Sequence, residues 1–199
     1  MRVGYDAAPL LGEKTGVGRY AGELARALGE LGVDVVQFAV SWGAPRAPGV
    51  RRWRVPARAA RAAWRRWDRP PIERLTGEVD LVHATNFVLP ALRRAPGVVT
   101  VHDLSFFRDD TWPGGHRLRD LVPWSVERAA AVIVPTQAIG AEVCDRLGVP
   151  EQQVHVTPEG VAPVFFGAGG LGEAALAELG IPGPFVVAAG TIEPRKNLP

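Results

Sequence analysis

Two polar residues stand where an apolar run stops. Val98-Val99-Thr100-Val101 leads straight into His102-Asp103-Leu104. Four β-branched residues in succession favour a pleated, packed strand, and Pro96-Gly97 ends whatever precedes it. In an open parallel sheet, ligands bind outside the carboxyl ends of the strands, so His102 and Asp103 would face a cleft rather than a core. Metal chemistry is not indicated. No H-x-x-x-H or C-x-x-C spacing occurs, and Asp103 alone is not a metal-binding cluster.

A second candidate is Gly16-Val17-Gly18-Arg19-Tyr20-Ala21, a glycine-rich turn opening a helix. Backbone N–H groups at such a helix start can hold an anion or a hydroxyl. The spacing also matches a dinucleotide fingerprint, but two features oppose that reading. About nine residues separate the turn from the preceding strand, and Val40-Ser41-Trp42 ends the next strand where an acidic residue is needed. Glycines that merely let helix and sheet pack closely are the plain alternative.

A third cluster runs from Ala57 to Trp67. At 100° per residue, Arg58, Arg61 and Arg65 share one helix face, and Ala60, Trp64 and Trp67 the opposite one. Such a helix could meet an anionic membrane surface. Alternatively, the tryptophans pack on the sheet while the arginines stay solvated. Nothing else in the chain offers a reading helix or stacking platform for nucleic acid.

The elements that must position these residues alternate regularly. Strands are expected at Arg2–Asp6, Val33–Val40, Val50–Val55, Val79–His83, Gly97–Val101, Ala131–Pro135 and Val154–Val156. Helices should run from Gly16 to the stop at Gly32, over Ala57–Trp67, from the loop holding His116 to about Ala129, and from an N-cap at Thr136 to Gly148. A β-α-β opening implies a right-handed crossover, hence an α/β, Rossmann-like, doubly wound, mainly parallel sheet. His83 reads equally as a strand-end or a satisfied core residue, and His155 as structural. Texture changes at Ala162–Leu171, rich in proline and glycine. A short helix, Glu173–Leu179, then leads to a strand at Phe185–Ala189. The expected divisions are a domain at 1–165, a linker at 166–183 and the start of a second domain at 184–199.

Composition bounds the setting. The chain has 199 residues, net charge +2, and one cysteine, Cys144, so no internal disulfide forms and a cytosolic setting is expected. No apolar run approaches the ~18 residues of a membrane span. The N-terminus enters a strand without an apolar leader, which argues against a secretory signal.

Taken in order, the segments Thr15–Tyr20, Thr100–Leu104, Val132–Thr136, Val156–Val161 and Ala189–Leu198 make the chain resemble a known family. It is similar to the N-terminal half of a GT-B glycosyltransferase, of the family-4 group of retaining, nucleotide-sugar-dependent enzymes. The resemblance implies that Gly16, Val17, Gly18 and Arg19 line the cleft beside the donor phosphates and acceptor. It implies that His102, with Asp103 beside it, faces the donor sugar, as a positioning group rather than a general base. Arg195 and Lys196 would neutralise the diphosphate without a metal or other cofactor, because fixed cations stabilise a departing anion. Many relatives carry arginine where this chain has Thr191. Pro158-Glu159-Gly160 replaces a usual Pro-Asn-Gly turn, so Glu159 reads as a turn residue.

The implied reaction moves a sugar from a nucleoside-diphosphate sugar, GDP-mannose or a UDP-sugar, to a glycan or lipid-linked acceptor, as in polysaccharide biosynthesis. The family's E-x7-E pair and nucleotide pocket lie in a C-terminal domain, so these residues alone are expected to be inactive. The implied location is cytoplasmic, with peripheral contact at the inner face of the plasma membrane through Arg58, Arg61, Arg65, Trp64 and Trp67. Two other classes fit parts of the pattern: a sugar-nucleotide epimerase of the same fold, and a non-catalytic membrane-docking module.

Overall fold

Strand β1 (Arg2–Asp6) is buried from Val3 to Tyr5, as a strand covered on both faces must be. The computed structural model to which it belongs describes residues 1–12, 15–108, 115–181, 183–188 and 190. After a 3-10 turn at Ala8–Leu10, helix α1 (Gly16–Glu30) begins at Thr15, whose Oγ1 accepts the Gly18 N–H at 3.2 Å. The cap satisfies one of the donors that a helix start leaves free. Gly32, at φ 77°, turns the chain into β2 (Asp34–Val40).

The remaining elements of the sheet domain follow in order. They are β3 (Arg51–Trp53), α2 (Ala57–Trp67), α3 (Glu73–Thr76), β4 (Leu81–Ala84), β5 (Gly97–Thr100), α4 (Gly115–Glu127), β6 (Ala131–Val134), α5 (Gln137–Leu147) and β7 (Val154–Val156). The seven strands form one sheet in the order β3-β2-β1-β4-β5-β6-β7, every pair parallel. This is the α/β, Rossmann-like architecture expected from the sequence. Strand order reverses between β1 and β4, so the crevice of such a sheet lies at their carboxyl ends.

Two apolar clusters hold the layers together. One joins β4–β7 to α4 and α5 through residues such as Val99, Leu121, Val122, Val132 and Val143. The other packs Phe38, Val82 and Ile72 against Ala60 and Trp64 of α2. The Thr136 Oγ1 accepts the Ile139 N–H at 3.2 Å, and Gly148 closes α5 at φ 65°. Within the core, Ser125 Oγ accepts the buried Leu89 N–H at 3.0 Å while donating to the Leu121 carbonyl at 2.7 Å.

Several local expectations are corrected. The third strand is three residues long rather than six. His116 lies in the first turn of α4, exposed, and not in a loop. On α2, Trp64 is buried and its indole N–H donates to the Pro70 carbonyl at 3.0 Å, but Trp67 is 66% exposed. Trp67 is the last residue of α2, and left-handed Asp68 turns the chain away directly after it.

The chain divides into two compact units, Met1–Glu159 and Gly160–Pro199. The second contains α6 (Val164–Gly167) and α7 (Glu173–Glu178). No strand forms at 185–188, where Val186 is 97% exposed. Ladder hydrogen bonds need a neighbouring strand, and among the described residues none pairs with 185–188; Ala189 lies outside the described residues. Among the described residues, no helix is long and apolar enough to cross a membrane.

Candidate functional site

His102 follows β5 at its carboxyl end, with a side chain only 9% exposed. Its Nε2 lies 2.9 Å from the Thr85 carbonyl, which can only accept, so Nε2 carries the proton. Its Nδ1 then faces Glu159 Oε1 at 3.4 Å. The ring is clamped edge-on by Tyr20 at 4.9 Å and by Phe87 at 5.9 Å. Phe87 holds φ 63°, a left-handed conformation that costs a bulky residue of the order of 1 kcal/mol or more. That strain is offset where Phe87 packs against Phe106 and His102.

Behind this ring runs a polar chain through the sheet. Tyr20 Oη is 3.1 Å from Thr100 Oγ1, which in turn is 2.8 Å from His83 Nε2. His83 is the satisfied core histidine of the two readings open to it. Burial, with the neighbouring His102 adding to it, pushes its pKa down to about 4. Tyr20 and Tyr5 are both held as neutral phenols, burial raising each pKa above its ordinary value. The Tyr5 hydroxyl donates to the Ala21 carbonyl at 2.6 Å and so ties α1 to β1.

The glycine turn occupies the same edge of the sheet. Gly16 and Arg19 are exposed, Val17 is half-buried and Gly18 is buried. The two glycines differ in what they permit. A Cβ on Gly18 would lie 2.8 Å from the Pro9 carbonyl oxygen, so only glycine lets α1 approach the β1 loop. A Cβ on Gly16 would meet nothing within 4 Å. Close packing accounts for Gly18 alone.

Asp103 turns away from this arrangement. Its Oδ1 accepts from the Ser105 N–H at 2.9 Å and the Ser105 hydroxyl at 2.6 Å, capping the short turn that follows. Arg195 and Lys196 lie outside the described residues. Arg58 is exposed, Arg65 pairs with Asp120 at 3.1 Å, and Arg61 is half-buried beside Asp6. The basic face of α2 is therefore not uniformly solvated. Among the described residues, no group of three His, Cys, Asp or Glu side chains is placed to hold a metal ion.

Sequence reasoning missed two members of the site, Glu159 and Thr85, and a carboxyl near it, Asp6. Glu159, read as a turn residue, brings its carboxylate to His102. Thr85 supplies the carbonyl that sets the imidazole tautomer. Asp6, at the end of β1, is partly buried, and burial raises its carboxyl to about 6 against the opposing pull of the Ala8 N–H and Arg61. An acidic residue ending the first strand of a parallel sheet was the available signal for Asp6. No local pattern announces Thr85 or Glu159.

A family model described as Glycosyltransferase Family 4 matches residues 14–164 of the chain. A search of curated proteins finds no match.

Proposed function

The chain belongs to glycosyltransferase family 4, and from that premise we propose that it is the acceptor-side half of a retaining, metal-independent GT-B transferase. The donor is a nucleoside-diphosphate sugar, GDP-mannose or a UDP-sugar, and the acceptor a glycan or lipid-linked saccharide. The observation that carries this reading is the clamped imidazole at the sheet's carboxyl edge, beside an exposed glycine turn with open space at Gly16.

In this reading the protein's own residues perform three tasks. Gly16 and Val17 leave backbone N–H groups free at the positive end of α1, where negative charge on a departing diphosphate is stabilised. Arg195 and Lys196 add fixed cations. His102 is held by Thr85 through Nε2, so Nδ1, the nitrogen facing Glu159, is the one that addresses a sugar hydroxyl. Glu159 is half-exposed, and its carboxylate accepts from a second hydroxyl of the same sugar. His102 positions the sugar; it is not a general base. In this reading the acidic pair and the nucleotide pocket lie in a second, nucleotide-binding domain.

Arg66 and the exposed Trp67, neighbours at the end of α2, extend the reading to peripheral contact with an anionic bilayer at the cytoplasmic face. The test of the transferase reading uses the parent enzyme carrying both halves. It should hydrolyse or transfer from a UDP- or GDP-sugar, and His102→Ala should lower that rate by orders of magnitude. A parent with no such activity sinks the reaction class. An unchanged rate in the variant sinks the role given to His102.

A further inference from the structure

At the carboxyl ends of β1 and β2, beneath α2, lies a cavity of about 40 Å³ that the transferase reading does not use. Asp6, Arg61 and Asn86 line it, over a floor of Phe38, Val40 and Trp64. Its polar groups do not satisfy one another. Asp6 Oδ1 accepts the Ala8 N–H at 2.9 Å. Arg61 feels the Asp6 charge but forms no ion pair with it. Asn86 Oδ1 is enclosed and has no hydrogen-bond partner among the described residues. An enclosed acceptor without a donor is costly, so the cavity calls for a group that brings protons to it.

Two features select the chemistry of that group. A carboxyl and an amide oxygen both want donors, which an ionised phosphate lacks, while Arg61 supplies N–H groups to an acceptor. A neighbouring pair of hydroxyls meets all three requirements at once. Size decides how much enters: one water's share of liquid volume is about 30 Å³, so the space takes a hydroxyl edge and not a sugar ring. Position decides which substrate. Thr85, next to Asn86, donates its hydroxyl to the Asp6 carbonyl at 2.8 Å and its own carbonyl receives His102 Nε2–H at 2.9 Å. The cavity is therefore one residue removed from His102, at the point where strand order reverses.

We propose that the Asp6–Arg61–Asn86 cavity is a subsite for a hydroxyl edge of a neutral saccharide or polyol acceptor, its hydroxyls donating to Asp6 and Asn86 and accepting from Arg61. The role as acceptor rests on the transferase reading; the binding itself does not.

The experiment is a titration of the ¹⁵N-labelled full chain with methyl α-D-mannopyranoside and myo-inositol as neutral probes and inorganic phosphate as the anionic one. The Asn86 side-chain amide and the Trp64 indole N–H are followed by NMR. A saturable shift at both signals with a millimolar-range Kd is expected from a neutral probe and none from phosphate. Asp6→Asn and Arg61→Gln should each weaken that binding roughly tenfold or more, as loss of a hydrogen bond to a charged group does. Arg61→Gln decides the matter if Asp6→Asn does not fold. Signals that stay fixed with both neutral probes, as a cavity holding only a structural water would give, overturn the proposal. So do saturable shifts with phosphate alone, or neutral-probe binding that both variants leave unchanged. Saccharide binding by this chain beside an inactive parent enzyme would leave the subsite standing and remove the reaction.

Discussion

Asp6 and His83 oppose each other in their dependence on pH, and this can be measured in the sheet domain alone. Folding raises the Asp6 pKa from its ordinary 3.8 to about 6, chiefly by burial. The stability that Asp6 contributes is present below pH 3.8 and is lost as pH rises through 6. The gap, at 1.36 kcal/mol per pH unit, amounts to about 3 kcal/mol. Burial also lowers the His83 pKa from 6.5 to about 4. Its contribution is present above pH 6.5 and is lost as pH falls through 4, again by about 3 kcal/mol. Across that window the two slopes nearly cancel. Asp6→Asn keeps an acceptor for the Ala8 N–H and removes only the charge, so its stability should climb by about 3 kcal/mol from pH 4 to 6.5 relative to the parent chain. His83→Gln keeps a polar partner for Thr100 and should fall by a similar amount over the same range. Urea unfolding followed by tryptophan fluorescence is the assay. All six tryptophans precede Trp124 or are Trp124 itself, so the signal reports the unit Met1–Glu159. Effects common to all three chains, such as protonation of Glu73, cancel in the differences. A variant-minus-parent difference that changes by less than about 1 kcal/mol over the window would refute the placement of both groups.

The two glycines of the α1 turn should separate under substitution. Gly18→Ala meets the Pro9 carbonyl and should cost about 1–3 kcal/mol in thermal unfolding, whereas Gly16→Ala should leave stability within about 0.5 kcal/mol and impair only donor binding by the parent enzyme. Ser125→Ala orphans the buried Leu89 N–H and should cost about 1–3 kcal/mol by the same measurement. For membrane contact, the chain should float with vesicles rich in anionic lipid, and replacing Arg66 with Ser and Trp67 with Ala should weaken this, by about 1 kcal/mol for the arginine alone. No flotation, or flotation unchanged by the double replacement, would exclude that surface.

Residues within one turn or one strand of each other were legible in the sequence, because the forces that set them are local. Period-2 and period-3.6 patterning fixed the alternation of strands and helices. Thr136 and Gly148 marked the ends of α5 through backbone groups a few residues away. The β-branched run before His102 fixed the histidine's place at a strand end. Local pattern also has a limit that Trp67 illustrates: it lies on the apolar arc of α2 but at the helix's last residue, and only the chain's departure at Asp68 decides that nothing covers it. Residues 185–188, the described part of an expected strand, show the same limit, since β-propensity cannot supply the partner strand a ladder needs. The partners of His102 were beyond the sequence for a stronger reason. Thr85, Tyr20 and Glu159 reach it from 17 to 82 residues away in the chain. Which strands lie side by side is settled only when the crossovers close, and the parallel order β1-β4-β5 is what sets Asp6, Asn86 and His102 along one edge. The sequence by itself determined that a histidine and a glycine turn would stand at the mouth of a parallel sheet. The tertiary structure decided what holds that histidine, and placed a carboxyl, a guanidinium and an amide around the small space beside it.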